Sequence, residues 1–201
     1  MSYASMINAS LRAFALLLVS IAPVAAAPFH HPLGEWREYN RDWLAVCPDV
    51  IDEDATHFYG FSCFASTGGA QLNATRLPAY KLTVLHNRLS GDLDIAVTVA
   101  ADGVTTDTSR PLVLAFGGEA PTLLDFTSDL ETRYDTANQF FVVDEAKRMA
   151  LLDKMVERNA LVMTVPLTGG TASMVEVLLS LRGLAASLDF MATYARKVAQ
   201  Y

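Results

Sequence analysis

Four histidines are the side chains of this sequence best suited to proton transfer, because imidazole titrates near neutral pH. They are His30, His31, His57 and His86. The first two lie between prolines near the start of the chain, where we expect a solvated tail. His57 begins an apolar segment and His86 ends another, but neither has a nucleophile or carboxylate spaced to form a catalytic pair. The histidines therefore offer no catalytic residue.

The acidic segment 49–54 is the part of the chain most similar to a metal site, with carboxylates at Asp49, Asp52, Glu53 and Asp54. Calcium prefers such oxygen ligands, but the alternating acidic spacing and glycine of a calcium loop are missing. Two cysteines without nearby histidines supply only two of the four ligands that a structural zinc site needs. Motifs for serine hydrolysis, zinc proteolysis and phosphate binding are also absent. We therefore assign no metal, no cofactor and no catalytic residue.

Two tryptophans open the region that follows, in the segment GEWREYNRDWLAVC. Trp43 precedes an alternating apolar run, so we expect it to fill the core. Trp36 could instead line a pocket or a contact surface, since indole rings are common in both. Trp36, His57 and His86 are therefore the candidate surface for a ligand or partner.

The N-terminus has the three parts of a secretory signal. A polar start with Arg12 is followed by the apolar run 13–21 and by small residues at 24–27. The run is shorter than the roughly 20 residues that span a bilayer. We predict cleavage after Ala26, although cleavage one residue later would place His30 third in the chain, where it could chelate copper. The remaining residues, 27–201, form a single domain without a membrane span, and we expect it to be periplasmic or secreted.

Both cysteines, Cys47 and Cys63, lie in the predicted exported part. Paired thiols usually oxidise outside the cytosol, so we predict a disulfide, with two buried free thiols as the alternative. The loop it would close, about 16 residues, corresponds to about 3 kcal/mol of stabilisation.

The chain is acidic, with a formal net charge of −7. The predicted leader contains one cation and no anion, so the exported part is more acidic still. Such a surface repels phosphate backbones, and we therefore exclude nucleic acid as a partner.

Apolar alternation broken by turn residues predicts a mainly β fold. The predicted strands cover residues 42–47, 57–65, 71–77, 81–87, 93–100, 111–116, 122–126, 161–165 and 174–181. The helical period predicts two helices in the C-terminal third. The first is capped by Asp144, carries Met149, Leu152 and Val156 on its apolar stripe with Ala146 and Met155 at the edges, and ends at Asn159 in a left-handed conformation. The second covers 183–198, with Leu184, Leu188, Met191, Ala195 and Val198 on one seam. The expected fold is an antiparallel β-sandwich-like domain with two helices (α+β).

Three features resemble the invasion-associated locus B family of bacterial envelope proteins, and a related group of uncharacterised periplasmic proteins. The segment RDWLAVC, ending at Cys47, is similar to the family's aromatic strand that ends in cysteine. A second cysteine, Cys63, follows after a short loop. The closing segment VEVLLSLRGLAASLDFMATYARK resembles the family's last strand, which runs through Ser-Leu-x-Gly, here Ser180, Leu181 and Gly183, into an alanine-rich helix. Members commonly carry a second cysteine pair in the later half, where this chain has none.

The resemblance implies an exported, non-enzymatic domain of Gram-negative envelopes, linked in some members to host-cell entry. We therefore expect a soluble cell-envelope protein that acts by binding an unknown protein or envelope component. Two alternatives stay open. One is a small-ligand carrier whose sheet encloses an apolar pocket near Trp36, and the other is an enzyme with a dispersed site built from His57, His86 and the 49–54 segment. The sequence does not indicate the oligomeric state.

Overall fold

The computed structural model describes residues 27–52 and 60–198, and the predicted leader, residues 1–26, lies outside this part of the chain. Antiparallel strands make up most of it. In chain order the elements are β1 (Phe29–His31), β2 (Glu35–Asn40), β3 (Trp43–Pro48), β4 (Ser62–Gly68), β5 (Tyr80–Asn87), β6 (Leu93–Val99), β7 (Thr105–Thr106), β8 (Leu112–Phe116), β9 (Thr122–Leu124), β10 (Leu130–Thr132), β11 (Gln139–Val142), α1 (Glu145–Glu157), β12 (Ala160–Thr168), β13 (Met174–Ser180) and α2 (Leu184–Val198).

The strands form two sheets. The first contains eight strands in the order β1-β2-β3-β4-β5-β6-β11-β10. The second is ordered β13-β12-β8-β9, with β7 paired to β12 beyond this path. Every strand pairing is antiparallel, and the two helices follow in the last third, as the sequence predicts.

The core lies between the two sheets and is built from alternate residues of each strand. In β6, Ile95 and Val97 are fully buried in it, while the intervening Ala96 belongs to a separate small cluster on the other side of the sheet. Trp43 is 1% exposed and is part of the main core, as predicted. The period-2 pattern of the sequence therefore assigns the faces of the sheet correctly.

Helix α1 begins as predicted but turns a different side to the core. The Asp144 carboxylate accepts a hydrogen bond from the Lys147 backbone N–H at 2.7 Å and caps the helix. The buried residues are Leu151, Leu152 and Met155, whereas Met149 and Val156 are 45% and 44% exposed. Leu151 and Met155 lie one helical turn apart, so together with Leu152 they form the apolar side of the helix that packs on the core. The predicted stripe was therefore wrong at Met149 and Val156, and at its edge residue Ala146, which are exposed. It was correct at Leu152 and at the edge residue Met155. The prediction of a left-handed Asn159 was also wrong, because the chain extends at Arg158 directly into β12.

Helix α2 packs on the first sheet through the predicted seam. Leu184, Met191 and Ala195 are buried, and Leu188 packs against the core. The helix contacts β2, β3, β4 and β5.

A corner where β13 meets α2 holds the two ends of the domain together. Asp42, in the turn between β2 and β3, accepts a hydrogen bond from the Ser180 hydroxyl at 2.6 Å, and the Trp43 indole N–H donates to the Ser180 carbonyl at 3.1 Å. Gly183 lies against the backbone of Asn40 at this corner, with φ of 103°. The Ser180–Gly183 segment therefore fixes the end of the second sheet to the first.

Two sequence-based expectations fail for local reasons. Residues 71–77 form a turn instead of a strand, because the Asn73 side-chain oxygen accepts from the backbone N–H groups of Thr75 and Leu77. The expected N-terminal tail is an edge strand, β1, which pairs with β2. His30 in β1 also contacts the Asp49 carboxylate at 2.6 Å. The sequence analysis missed β1, β2, β7, β10 and β11, which are short or rich in charged residues.

Candidate functional site

A cross-strand row of side chains lies on the inner face of the first sheet. The register pairs Trp36 with Cys47 and Cys63 with His86, and directly paired residues share a face of an antiparallel sheet. The Cys47–Cys63 disulfide joins β3 to β4 at the centre of this row, with Cα atoms 4.3 Å apart and both residues 0% exposed. The predicted disulfide is present, and Trp36 and His86 flank it.

Helix α2 covers this row. The Tyr194 ring lies 5.2 Å from the Trp36 ring and 4.4 Å from the Phe190 ring. On the other side of the disulfide, the backbone carbonyl of Met191 accepts a hydrogen bond from His86. Trp36 and His86 are therefore half-buried contacts between the helix and the sheet. His57, the third residue of the predicted surface, lies outside the described residues.

Burial lowers the pKa of His86, and the positive charges of Arg196 and Arg88 lower it further, while the hydrogen bond to Met191 raises it. Arg196 lies on α2 and Arg88 follows β5. The folded protein therefore favours neutral His86.

Acidification is expected to destabilise the protein through His86. Because the folded-state pKa is below the unfolded value of about 6.5, the unfolded state binds the proton more readily and stability falls as pH drops below that value. Urea unfolding at several pH values between neutrality and pH of about 5 should show this loss in the wild type. His86→Gln should show a smaller loss over the same range. An unchanged slope in the variant would assign the pH dependence to other groups.

The outer side of the second sheet is apolar as well. The register places alternate residues of β13, β12, β8 and β9 side by side on this surface. We call it the exposed apolar face; its apolar members are Val113, Ala115, Leu123, Val162, Met174 and Leu178. The register also places two polar residues, Thr164 and Glu176, in a row between them. Leu178, Leu123 and Met174 are 68%, 55% and 45% exposed. An antiparallel sheet with one solvated face normally carries polar residues there, and an exposed apolar surface often marks an interaction site.

On the outer side of the first sheet, by contrast, the apolar residues are buried. Leu85, Ala96 and Phe141 form a small outer cluster and are nearly fully buried. The Tyr134 ring packs 5.9 Å from the Phe141 ring, and the Arg133 guanidinium lies 4.8 Å above it. The segment between β10 and β11 therefore shields this cluster, whereas the exposed apolar face stays open to solvent.

Two clefts adjoin β13. One, of about 420 Å³, is lined by Tyr80, Leu167 and Val175 among others. The second, of about 820 Å³, is lined by Gly68, Ala160, Leu178, Ser180 and Arg182 among others. Neither is lined by Trp36 or His86. Both clefts are lined in part by residues of β13, the strand that also carries Met174 and Leu178 of the exposed apolar face. The sequence analysis did not identify this strand as a candidate site.

Metal-ligand clusters and membrane-spanning helices were also sought among the described residues. In 27–52 and 60–198, no three His, Cys, Asp or Glu side chains converge on a point where a metal ion could bind. Neither helix of this part of the chain has the length and apolar character needed to cross a bilayer. Two of the six residues of the acidic segment 49–54, Glu53 and Asp54, lie outside the described residues.

The fold defines a class of protein, an antiparallel β-sandwich whose first sheet carries a cross-strand disulfide beneath a closing helix. Among solved structures, the chain is similar to the crystal structure of invasion associated protein B from Bartonella henselae, with a TM-score of 0.51 and 14% sequence identity. The superposition covers 80% of this chain and 98% of that one. No protein-family model and no curated protein matches the sequence. At this identity the likeness shows the fold alone.

Proposed function

We propose that this chain is an exported, non-enzymatic cell-envelope protein that acts by binding another protein or envelope component through the exposed apolar face. The observation that carries the proposal is that face itself. Leu178 is 68% exposed in the middle of a strand whose opposite side is buried. A sheet that must only bury one side has no need of leucine, valine and methionine on the other.

The compartment is supported by separate observations. The signal-like N-terminus favours export, and a buried disulfide is typical of oxidising compartments. The fold is similar to that of a solved protein named invasion associated protein B, and from this likeness we extend an association with invasion to this chain as part of the proposal.

The two alternative functions have less support. The inner side chains of both sheets meet in one buried cluster, which leaves little space for the carrier's pocket near Trp36. For the enzyme, the groups that act on His86 are two cations and a backbone carbonyl. A catalytic base instead lies within hydrogen-bond reach of the nucleophile that it activates, and no such side chain among the described residues bonds to His86. The binding function is therefore favoured.

A single charge on the exposed apolar face should weaken binding strongly. Tagged wild-type protein and the Leu178→Asp variant are used to capture partners from an envelope extract and a host-cell extract, with mass-spectrometric identification. Because buried apolar contacts dominate protein interfaces, the variant should recover about tenfold less of the specific partner. Leu178 is largely exposed, so the variant should unfold at nearly the wild-type temperature.

The matched control is Leu33→Asp, which places the same charge on a leucine that is 76% exposed between β1 and β2. It should bind like the wild type. Equal losses in both variants, or recovery of a small molecule without any protein, would count against the proposal.

A further inference from the structure

The hydrogen-bond pattern of β13 shows which of its backbone groups point away from the sheet. Leu181 N–H donates to the Asn159 carbonyl and Leu167 N–H donates to the Ser173 carbonyl. In an antiparallel pair, hydrogen-bonded and non-bonded positions alternate. The odd-numbered residues of β13 therefore bond to β12, and the even-numbered ones direct their N–H and C=O groups to the free edge. The Ser180 carbonyl agrees with this, because it accepts from Trp43 on that side.

Only the C-terminal end of this edge is occupied. There the indole N–H of Trp43, the first residue of β3, donates to the Ser180 carbonyl. The Asp42 N–H, in the turn before β3, donates to the Arg182 carbonyl at 3.4 Å. Within the described residues, the edge-directed backbone groups of Glu176 and Leu178 have no hydrogen-bond partner. An edge of this kind is a template for a further strand.

The surroundings leave room for such a strand. The second cleft, of about 820 Å³, is lined by Leu178 and Ser180 on one side and by Gly68 and Ala70 near the end of β4. The first cleft continues along the same strand, beside Val175. An extended chain can therefore lie beside β13 with its backbone facing the free groups.

The charge on this edge indicates which kind of strand would complement it. Along β13 the outward side chains are Met174, Glu176 and Leu178, so a carboxylate lies between two apolar residues. The protein as a whole carries a formal charge of −7. A strand with a cation opposite Glu176 and apolar residues on either side of it complements this pattern, because cross-strand pairs of opposite charge are favourable.

We propose that the free edge of β13 binds an extended segment of a partner protein by strand addition, with a lysine or arginine opposite Glu176 and apolar residues opposite Met174 and Leu178. This inference rests on the proposed binding function and specifies its partner. Backbone hydrogen bonds supply affinity in this mode, and alternate side chains supply specificity. The exposed apolar face then continues onto the bound strand.

The probe is the peptide acetyl-Thr-Val-Thr-Lys-Thr-Val-Thr-amide, added to isotope-labelled full-length protein at roughly millimolar concentration. Nuclear magnetic resonance should show slower amide exchange at Glu176 and Leu178, with little change at Val177, which already bonds to β12. Methylating the backbone nitrogens of the two valines and the lysine removes the donors that face β13. This should weaken binding by about tenfold or more. Glu176→Lys should reverse the charge preference and favour the peptide that carries glutamate in place of lysine.

Three results would overturn the inference. Absence of binding is the first. The second is that the methylated peptide binds as tightly as the unmethylated one and amide exchange at Glu176 and Leu178 is not slowed. This result would place the contact on the exposed apolar face instead of the edge, and the proposed function would remain. The third is protection of the same amides by self-association without peptide, which would make a second copy of this chain the occupant. Loss of partner capture by Leu33→Asp as well as Leu178→Asp would refute the proposed function itself.

Discussion

Replacing Gly183 by alanine is expected to lower the free energy of unfolding by about 3–5 kcal/mol. Gly183 has φ of 103°, a conformation that L-residues with a side chain rarely adopt. An added Cβ would also lie 1.8 Å from the carbonyl oxygen of Asn40. That oxygen belongs to the backbone of the last residue of β2, so it cannot rotate away. The corner that joins the second sheet to α2 would have to open, and urea unfolding measures the loss.

The matched control for this substitution is Gly117→Ala. Gly117 does not have positive φ, and a Cβ built there meets nothing within 4 Å. Its stability should stay within about 0.5 kcal/mol of the wild type. A Gly183→Ala protein as stable as Gly117→Ala would show that the corner between β13 and α2 does not hold the domain together.

Removing the disulfide is the second change with a large expected effect. Oxidised wild-type protein should be more stable than the Cys47→Ala, Cys63→Ala double variant by about 3 kcal/mol, because the bond restricts the unfolded chain. The two sulfurs are fully buried beneath α2, so their loss also leaves a gap under the helix. Urea unfolding with and without dithiothreitol compares the proteins. Reductant should destabilise the wild type and have no effect on the double variant.

Mass spectrometry of the exported protein tests the predicted compartment. Protein purified from the periplasm should show a two-hydrogen mass deficit relative to its reduced form and should begin at Ala27. Labelling of both cysteines by a thiol reagent in unfolded but unreduced protein would contradict the disulfide. Stability that does not respond to reductant would contradict its structural role.

Much of the fold can be read from the sequence, because its central strands alternate regularly. The pattern LDIAVTVA predicts β6 and its faces, and the Asp144 cap and the seam of α2 follow from local chemistry. The resemblance at Ser180, Leu181 and Gly183 has a physical basis in the corner, where only glycine fits against Asn40. Strands such as β2, with the sequence EWREYN, are stabilised by pairing with β3 and not by their own composition. Their sequence alone therefore carries little strand signal.

The candidate site was harder to find from the sequence. Cross-strand register, which brings Trp36 and His86 to either side of the disulfide, depends on pairings between distant residues. The exposed apolar face did leave a signal, since β8, β12 and β13 contain nearly continuous apolar runs instead of apolar and polar residues in alternation. Such runs are equally typical of a strand buried on both sides. Only the structure shows that one side of this sheet is open.

The most direct test of the binding function is site-specific photo-crosslinking in living cells that produce the protein. A photoreactive phenylalanine analogue replaces Leu178 on the exposed apolar face, or Leu33 as the control position. Both positions are largely exposed, at 68% and 76%, so their chance of random encounters is similar. A discrete crosslinked protein at Leu178 and none at Leu33 is the predicted result. Adducts of the same size and yield at both positions, or none at Leu178, would contradict the account.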